Sequence, residues 1–337
     1  MSVVRAQAPG KVFVIGEYAV LAGAPALVAA LDVHASVTLA VAPGPASLAV
    51  ASTVDGRWSD AGGAPPAGDA AAIAAACSAA RAAAPVLADL RVDVNVDSHA
   101  FLSGDRKLGL GRSAATLAAT VAGLLAAAGV RRADLLPVTL AANARLQGGL
   151  GSGADVAAAV HGGVVAVRRS ADTLVVRPSA LPPGLHLIVG WTREAAPTVP
   201  LLERFSAADR PAALAPLVDD AEAAVAAVAR GDAATFLAVV DRSTARLEAL
   251  GAALDLPIVT PTLRRLVETA QHAGATAKPA GAGGGDCGIA LARSAAEAEA
   301  VRAAWRAAGI VPLDVGIATA GARAVRATAP ADEVAVG

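Results

Sequence analysis

The sequence contains little lysine, few aromatic residues and almost no cysteine. Only three of its 28 basic residues are lysines, namely Lys11, Lys107 and Lys278, and the rest are arginines. Aromatic residues make up 2% of the 337 positions, so a core must be built mainly from Ala, Val, Leu and Ile. Two cysteines, Cys77 and Cys287, cannot cross-link a chain of this length, and they match no zinc motif. These absences exclude a disulfide scaffold and favour a reducing cytoplasm.

A surplus of charge of either sign is also missing, since the formal net charge is -1 at pH 7. Because covering nucleic acid requires a surplus of cations, this balance argues against a nucleic-acid partner. Charges at Arg5, Lys11 and Glu17 interrupt any apolar signal segment near the N-terminus. The 18 uncharged residues at 113–130 imitate a membrane span, but they are mostly Ala and Gly. We interpret that run as a buried helix and expect no membrane partner.

The length and the mixed periodicity predict an α+β protein of two domains. A proline cluster near 178–183 suggests the boundary, with domains at 1–180 and 181–330. Patterns of period two or 3.6, interrupted by Gly and Pro, separate strands from loops and helices. The predicted strands are 12–15, 34–41, 90–96, 186–191 and 287–292. A loop is predicted at 56–66, and a helix follows it to about 84. Further helices are predicted after 113, near 152, and at 207–229, 233–250 and 261–272.

The first of three glycine-rich loops runs from Lys107 to residue 115 and leads directly into the alanine-rich helix. Glycines allow backbone N–H groups to approach an anion, and the start of a helix adds partial positive charge. Ser113 stands near the N-cap, and Lys107 and Arg112 supply two cations beside it. The segment therefore predicts a phosphate-binding loop, with an ordinary serine-capped loop as the alternative.

Two further loops are also rich in glycine. Residues 147–155 carry four glycines and end at Asp155, which is either a functional carboxylate or a first-turn acid that complements the helix dipole. Residues 281–288 contain five glycines, which lose entropy on folding and are better explained by a backbone wrapped against a ligand. Cys287 follows that loop without a neighbouring histidine, so we interpret it as a packing residue.

Other catalytic motifs do not fit. Lys11 follows Gly10 but precedes Val12, so no Walker A loop is present. Residues 109–114 match a loose dinucleotide pattern, but a turn precedes them where a strand is required. No nucleophile elbow, Ser-His-Asp arrangement or paired histidine zinc motif occurs.

The three loops, in this order, resemble the motifs of the GHMP small-molecule kinases, which include galactokinase, homoserine kinase, mevalonate kinase and phosphomevalonate kinase. Residues 8–11 and 16–21 resemble the N-terminal motif, 109–115 the phosphate loop and 278–288 the C-terminal glycine loop. Within the family, residues 16–18, 107–108, 189–192 and 281–287 look most like the phosphomevalonate kinases. The resemblance spans nearly the whole chain. It implies an N-terminal α+β domain, a C-terminal ferredoxin-like domain and an active site between them.

The resemblance also implies cofactors and site residues. It implies ATP and Mg, with Lys11 and Asp155 as catalytic residues and Ser113 as the metal ligand. The implied ATP-binding residues are Lys107, Gly109, Leu110, Gly111, Arg112, Ser113 and Ala114. The implied substrate-binding residues are Lys11, Glu17, Tyr18, Ser152, Gly153, Asp155, Thr192, Arg193, Thr198, Gly281, Ala282, Gly283 and Gly284. A structural ion pair is the alternative for Lys11, and a solvated surface charge is the alternative for Arg193.

The implied reaction is the conversion of 5-phosphomevalonate to 5-diphosphomevalonate. The mevalonate kinase pattern has a glutamate metal ligand about eleven residues before the matching aspartate, whereas Ala144 stands here and 135–154 contains no acid. Arg145 in this segment suits an anionic small-molecule substrate better than a neutral one. Mevalonate kinase, diphosphomevalonate decarboxylase and a catalytically silent ligand-binding regulator remain alternatives, and a monomer and a homodimer are both compatible with the sequence.

One departure from the family pattern concerns Arg112, which replaces the first serine of the phosphate loop. The missing serine hydroxyl could weaken ATP binding, or the Arg112 guanidinium could contact phosphate. The sequence leaves both alternatives open.

Overall fold

The computed structural model describes residues 2–170, 173–196, 198–207 and 212–326, with their side chains except at positions 132, 198, 199, 202 and 207. These ranges contain 14 β-strands and nine α-helices. The strands are β1 (Ser2–Ile15), β2 (Pro25–Pro43), β3 (Ser47–Ser52), β4 (Gly56–Ser59), β5 (Leu90–Asp97), β6 (Leu102–Ser103), β7 (Arg106–Lys107), β8 (Val164–Ser170), β9 (Thr173–Ser179), β10 (His186–Trp191), β11 (Thr276–Pro279), β12 (Cys287–Ala292), β13 (Val311–Leu313) and β14 (Arg323–Arg326). The helices are α1 (Asp69–Ala83), α2 (Arg112–Ala128), α3 (Leu135–Gln147), α4 (Ala154–His161), α5 (Thr198–Ala207), α6 (Ala215–Ala229), α7 (Ala233–Leu254), α8 (Pro261–His272) and α9 (Ala295–Ala307).

The first sheet has eight strands in the order β14-β1-β2-β5-β3-β4, with β8 and β9 continuing from another part of β2. Helix α2 lies against β1 and β2, and α1, α3 and α4 pack around it. Small side chains allow this close approach, since a Cβ added at Gly123 would lie 2.1 Å from Leu39 Cδ1. The predicted buried helix is therefore confirmed. Among the described helices, none combines the length and hydropathy that a membrane span requires.

The second sheet has four strands in the order β11-β12-β10-β13, and each neighbouring pair is antiparallel. Helices α5 to α8 connect β10 to β11, and α9 connects β12 to β13. This connectivity is the split β-α-β arrangement of ferredoxin-like folds, as the resemblance implied. Helices α8 and α9 cover one face with Leu266 and Trp305.

The opposite face of the second sheet belongs to a core shared with the first sheet and with helices α6 and α7. Val12 and Leu31 from β1 and β2 share one core cluster with Phe236 on α7 and Ile289 on β12. The last described strand, β14, pairs with β1. The predicted second domain thus contributes one strand to the first sheet, while the proline cluster at 178–183 covers the end of β9 and the start of the connection to β10.

Several predicted elements have different limits in the structure. The predicted helix 207–229 is wrong at its start, because α6 begins at Ala215 and a separate helix, α5, ends at Ala207. Pro216 explains this start, since proline is favoured in the first turn of a helix. The predicted loop 56–66 begins with strand β4, which forms a hairpin with β3. Strands β1 and β2 also extend well beyond the predicted 12–15 and 34–41, because sheet pairing overrides weak local propensity.

Candidate active site

The phosphate loop predicted at 109–113 forms a cradle at the start of α2. Gly109 and Gly111 have φ values of 77° and 82°, in the left-handed region that favours glycine. A Cβ at Gly111 would lie 2.8 Å from Lys11 Cε, so a side chain there would fill the space beside the lysine. Gly111 is the N-cap and has no side chain to satisfy the first amides of the helix. Those amides, together with the exposed Ser113, are suited to an anion.

A cleft of about 830 Å³ opens in front of this loop. Its walls come from β1, the phosphate loop, the start of α4, and the segments 191–195 and 101–107. The structure thereby brings together residues that are far apart in the sequence. The predicted site residues that line the cleft are Lys11, Lys107, Gly109, Leu110, Gly111, Arg112, Ser113, Ala114, Asp155 and Arg193.

Lys11 lies on β1 beside the phosphate loop. Its backbone N–H donates to the Leu110 carbonyl at 2.8 Å, and its Nζ lies 5.4 Å from the centroid of the Phe13 ring. Within the described part of the chain, the other two lysines pair with carboxylates and Lys11 does not. The ion-pair alternative for Lys11 therefore has no partner among the described residues. Its ammonium borders the cleft and can meet an anion there.

Asp155 lies in the first turn of α4 and is half buried. Its Oδ1 accepts a hydrogen bond from the Val156 amide at 2.9 Å, which orients the carboxylate at the edge of the cleft. The helix-terminal role and the functional role considered from the sequence are therefore compatible in one residue. Asp155, Lys11 and the phosphate loop therefore line the same cleft.

Arg112 pairs with two carboxylates that sequence reasoning did not identify. Its guanidinium lies 3.3 Å from Asp55 Oδ2 and 3.9 Å from Asp69 Oδ1. Asp69 is 1% exposed, and Ser52, Ser98 and Thr116 donate hydroxyl hydrogen bonds to it. Arg112 therefore supplies the positive charge that a buried acid requires. No local sequence signal pairs Arg112 with acids 57 and 43 positions away.

A second cluster joins the phosphate loop to the segment 192–196. Lys107 Nζ donates to the Ala196 carbonyl at 2.7 Å and lies 3.5 Å from Asp286 Oδ2. The Thr192 hydroxyl donates to the Asp286 carbonyl at 2.9 Å, so this predicted substrate contact is occupied by the backbone. Arg193 has a φ of 64° and is exposed at the cleft. Asp286 is a further residue that sequence reasoning assigned no role.

Glu17 and Tyr18 differ from their predicted role in direct substrate contact. Glu17 forms a buried ion pair with Lys278. Neither Glu17 nor Tyr18 lines the large cleft. The Tyr18 hydroxyl donates to the Ala282 carbonyl at 2.6 Å. Burial raises the pKa of Tyr18 above its ordinary value, and the charge of Glu17 adds to this, so the hydroxyl remains protonated and available as a donor. Both side chains support the C-terminal glycine loop.

That glycine loop lies next to the main cleft. A smaller pocket of about 60 Å³ is lined by Lys11 together with Gly281, Ala282 and Gly283. The Gly284 amide donates to the Ile258 carbonyl at 2.9 Å, and a Cβ at Gly283 would lie 2.2 Å from the same oxygen. The loop is therefore held close to the segment before α8, and Gly283 is required by that approach.

Two predicted substrate contacts, Ser152 and Gly153, lie elsewhere. Ser152 and Gly153 line a separate cavity of about 540 Å³ between α3 and β9, on another side of the Asp155 loop. A Cβ at Gly153 would lie 2.5 Å from Leu140 Cδ2, so the small size of Gly153 serves packing, and Ser152 Oγ accepts from the Ala154 amide at 3.3 Å. Thr198 begins α5, but its side chain lies outside the described part of the structure.

The predicted packing role of Cys287 agrees with the structure. Its thiol is 3% exposed and donates to the Leu108 carbonyl at 2.9 Å. Burial raises the pKa of Cys287 well above its ordinary value, and the charge of Asp286 adds to this. The thiol therefore stays neutral and unreactive beside the cleft.

Comparisons with known proteins agree with this geometry. Residues 224–311 match the family model described as GHMP kinases C terminal. The chain is 34% identical to the phosphomevalonate kinase of Streptomyces sp. strain CL190, over 91% of this chain and 95% of that protein. It is 32% identical to the mevalonate kinase of Aeropyrum pernix, over 85% of this chain and 88% of that protein.

Among solved structures, Streptococcus pneumoniae phosphomevalonate kinase in complex with phosphomevalonate and AMPPNP superimposes with a TM-score of 0.77. The match covers 93% of this chain and 99% of that chain at 23% identity, so it establishes a shared fold. The family model, the two relatives and the common fold lead to one conclusion. This chain belongs to the GHMP kinase family.

Proposed function

We propose that this protein is a phosphotransferase that uses ATP to convert 5-phosphomevalonate to 5-diphosphomevalonate. The 34% identity with a phosphomevalonate kinase, over nearly the full length of both chains, carries the choice of substrate. The cleft supports the reaction type, because it combines a phosphate loop with a lysine that forms no ion pair among the described residues. Phosphoryl transfer requires mainly positioning and charge neutralisation from a protein.

The phosphate loop is the proposed site for the β- and γ-phosphates of ATP. The backbone of 109–111 has the space that glycine provides, and the first amides of α2 face the cleft without a capping side chain. Ser113 offers a hydroxyl oxygen for Mg²⁺, which when bound would neutralise charge on the phosphates. Among the described residues, no group of three or more acidic, histidine or cysteine side chains could hold a metal alone. This donor set fits a magnesium ion that is bound largely by ATP itself.

The acceptor is a phosphate monoester, whose second pKa of about 6 leaves its nucleophilic oxygen mostly deprotonated at neutral pH. Such a substrate needs little help from a base and much help against the repulsion between two anions. Lys11 is proposed to neutralise that charge, and Arg193 is proposed to contact the acceptor from the opposite wall. Asp155 is proposed to orient the acceptor and Lys11.

In the proposed step, an oxygen of the acceptor phosphate forms a bond to the γ-phosphorus, and the bond from that phosphorus to the ADP oxygen breaks. Lys11 stabilises the negative charge on the transferring group, and the amides at the start of α2 hold the leaving phosphates. No proton has to be removed when the acceptor oxygen is already ionised.

Mevalonate kinase is the second candidate, because the Aeropyrum pernix relative has that activity by name and is 32% identical. ADP release measured in parallel with mevalonate, 5-phosphomevalonate and 5-diphosphomevalonate separates the candidates. We expect turnover with 5-phosphomevalonate. Turnover with mevalonate alone would refute the proposal, release of carbon dioxide from 5-diphosphomevalonate would indicate a decarboxylase, and no turnover would favour a silent ligand-binding protein.

We further propose a cytoplasmic location, since both cysteines are free and buried. A monomer or a homodimer is the proposed oligomeric state. Light scattering of the purified protein distinguishes these two states.

A further inference from the structure

Asp286 lies where three segments of the cleft meet. Its φ of 54° is in the left-handed region, which Asp and Asn adopt more readily than most residues. Its amide donates to the Glu194 carbonyl at 2.7 Å, and its own carbonyl accepts from the Thr192 amide at 2.9 Å. The backbone of Asp286 therefore joins the end of the glycine loop to the segment after β10.

The side chain of Asp286 extends this junction to the phosphate loop. Oδ1 accepts from the Ala196 amide at 3.1 Å, and Oδ2 lies 3.5 Å from Lys107 Nζ. Lys107 in turn donates to the Ala196 carbonyl, which closes a ring of three groups. A Cβ placed at Gly109 would lie 2.4 Å from the Asp286 Cβ, so the acid packs directly on the phosphate loop.

This position has an electrostatic cost that calls for an explanation. A carboxylate beside a phosphate loop repels the anions that the loop is built to bind, and only 14% of its side chain is exposed to water. A loop that needed only the left-handed conformation could use Asn or Gly. The charge of Asp286 is useful where it holds a cation, and Lys107 is the cation within reach.

We propose that Asp286 is a positioning residue of the phosphoryl-transfer site. It holds Lys107 and the backbone of 192–196 against the phosphate loop, so that the two walls of the cleft keep the spacing that transfer requires. The kinetic part of this proposal rests on the proposed function. Under this proposal Lys107 is no longer only a contact for ATP, as the sequence implied. It is a cation whose position is set by Asp286.

Asp286→Asn separates charge from conformation. Asparagine tolerates the left-handed region and retains an oxygen that accepts from the Ala196 amide, so only the attraction for Lys107 is lost. Lys107→Met removes the other partner. We expect each variant to lower kcat by about tenfold or more with a smaller effect on the KM of ATP, because the walls lose their alignment.

The double variant Asp286→Asn/Lys107→Met provides the decisive comparison. If the two groups act as a unit, the double variant loses no more activity than the more impaired of the two single variants. Glu299→Gln is the matched control, since it makes the same acid-to-amide change in a surface pair with Arg302. Unchanged kcat in Asp286→Asn, or fully additive losses in the double variant, would overturn the proposal.

Amide hydrogen exchange tests the same contact without turnover. Both single variants should speed exchange of the Ala196 amide, because Lys107 no longer holds the segment 192–196 against Asp286, even where Asn can still accept from that amide. The Thr192 amide, which is bound to the Asp286 backbone, serves as an internal reference. A wild-type protein that fails to phosphorylate 5-phosphomevalonate would refute the proposed function and leave this readout intact. Equal exchange at Ala196 in wild type and variants would refute the role of Asp286 instead.

Discussion

The Tyr18 hydroxyl donates a hydrogen bond to the Ala282 carbonyl at 2.6 Å, across 264 positions of sequence. The neighbouring Glu17 forms a buried ion pair with Lys278, on the strand that leads into the same glycine loop. Two adjacent residues near the N-terminus therefore hold the start of this C-terminal loop. This arrangement explains how Glu17 and Tyr18 influence the cleft without lining it.

Tyr18→Phe should weaken this support while leaving the aromatic packing intact. The Ala282 carbonyl loses its donor, which should lower the free energy of unfolding by about 1 kcal/mol. We expect the KM of the acceptor to rise more than the KM of ATP, because the glycine loop borders the smaller pocket. Phe205→Leu is the control, since it removes a ring 4.9 Å from Tyr18 and keeps the hydroxyl. Equal kinetics in Tyr18→Phe and wild type would argue against a role for the hydrogen bond.

Lys11→Met should abolish most turnover without unfolding the protein. Removing a group that stabilises transition-state charge typically lowers kcat by about 10²- to 10³-fold. The melting temperature should change little, because no ion pair of Lys11 exists within the described residues. Lys11→Arg keeps the charge, but the larger guanidinium must fit beside Gly111, so it should restore activity only in part. Near-normal kcat in Lys11→Met would exclude the proposed role.

Asp155→Asn should lower turnover at least about tenfold with little change in stability, because the acceptor and Lys11 lose the carboxylate that orients them. The asparagine oxygen can still accept from the Val156 amide, so the start of α4 is preserved. Asp232→Asn is a matched control at the start of another helix, where Asn caps as well as Asp. If Asp155→Asn retains full activity, Asp155 serves only as a helix-terminal charge.

Arg112→Ser restores the serine of the family pattern but removes the counter-charge of Asp69. Leaving that buried acid without its cation should lower the free energy of unfolding by about 1–3 kcal/mol. Adding Asp69→Asn should recover part of this loss, because the remaining hydroxyl donors can serve a neutral amide. Denaturant unfolding without nucleotide measures both effects. An Arg112→Ser variant as stable as wild type would show that Asp69 needs no cation.

Alkaline stability should depend on Cys77. Burial raises the pKa of this thiol from 9.0 to about 12, with Asp60 raising it further and Arg81 lowering it. Because the pKa is higher in the folded state, its contribution is complete below about pH 9 and is lost as the pH rises toward 12. Denaturation measured between pH 8 and 11 should show a shallower decline for Cys77→Ala than for wild type. Parallel declines would mean that other groups, such as Tyr18, control the loss of stability at alkaline pH.

Local patterns predicted the elements whose sequence is consistent with their final state. Strands 186–191 and 287–292 and helix 261–272 have the predicted limits, because period and turn residues agree there. The phosphate loop was equally readable, since its glycines and the helix that follows are neighbours in sequence. Strands β1 and β2 were underestimated because Ala, Pro and Gly hide strand propensity until pairing across the sheet supplies the hydrogen bonds.

The site itself was only partly predictable. The sequence alone determined which motifs were present, and those motifs led to Lys11, Asp155 and Ser113, all of which line one cleft. Only the tertiary structure decided that Arg112 serves Asp55 and Asp69, and that Lys107 meets Asp286. The physical reason is that an ion pair depends on the distance between side chains, and packing sets that distance between residues far apart along the chain.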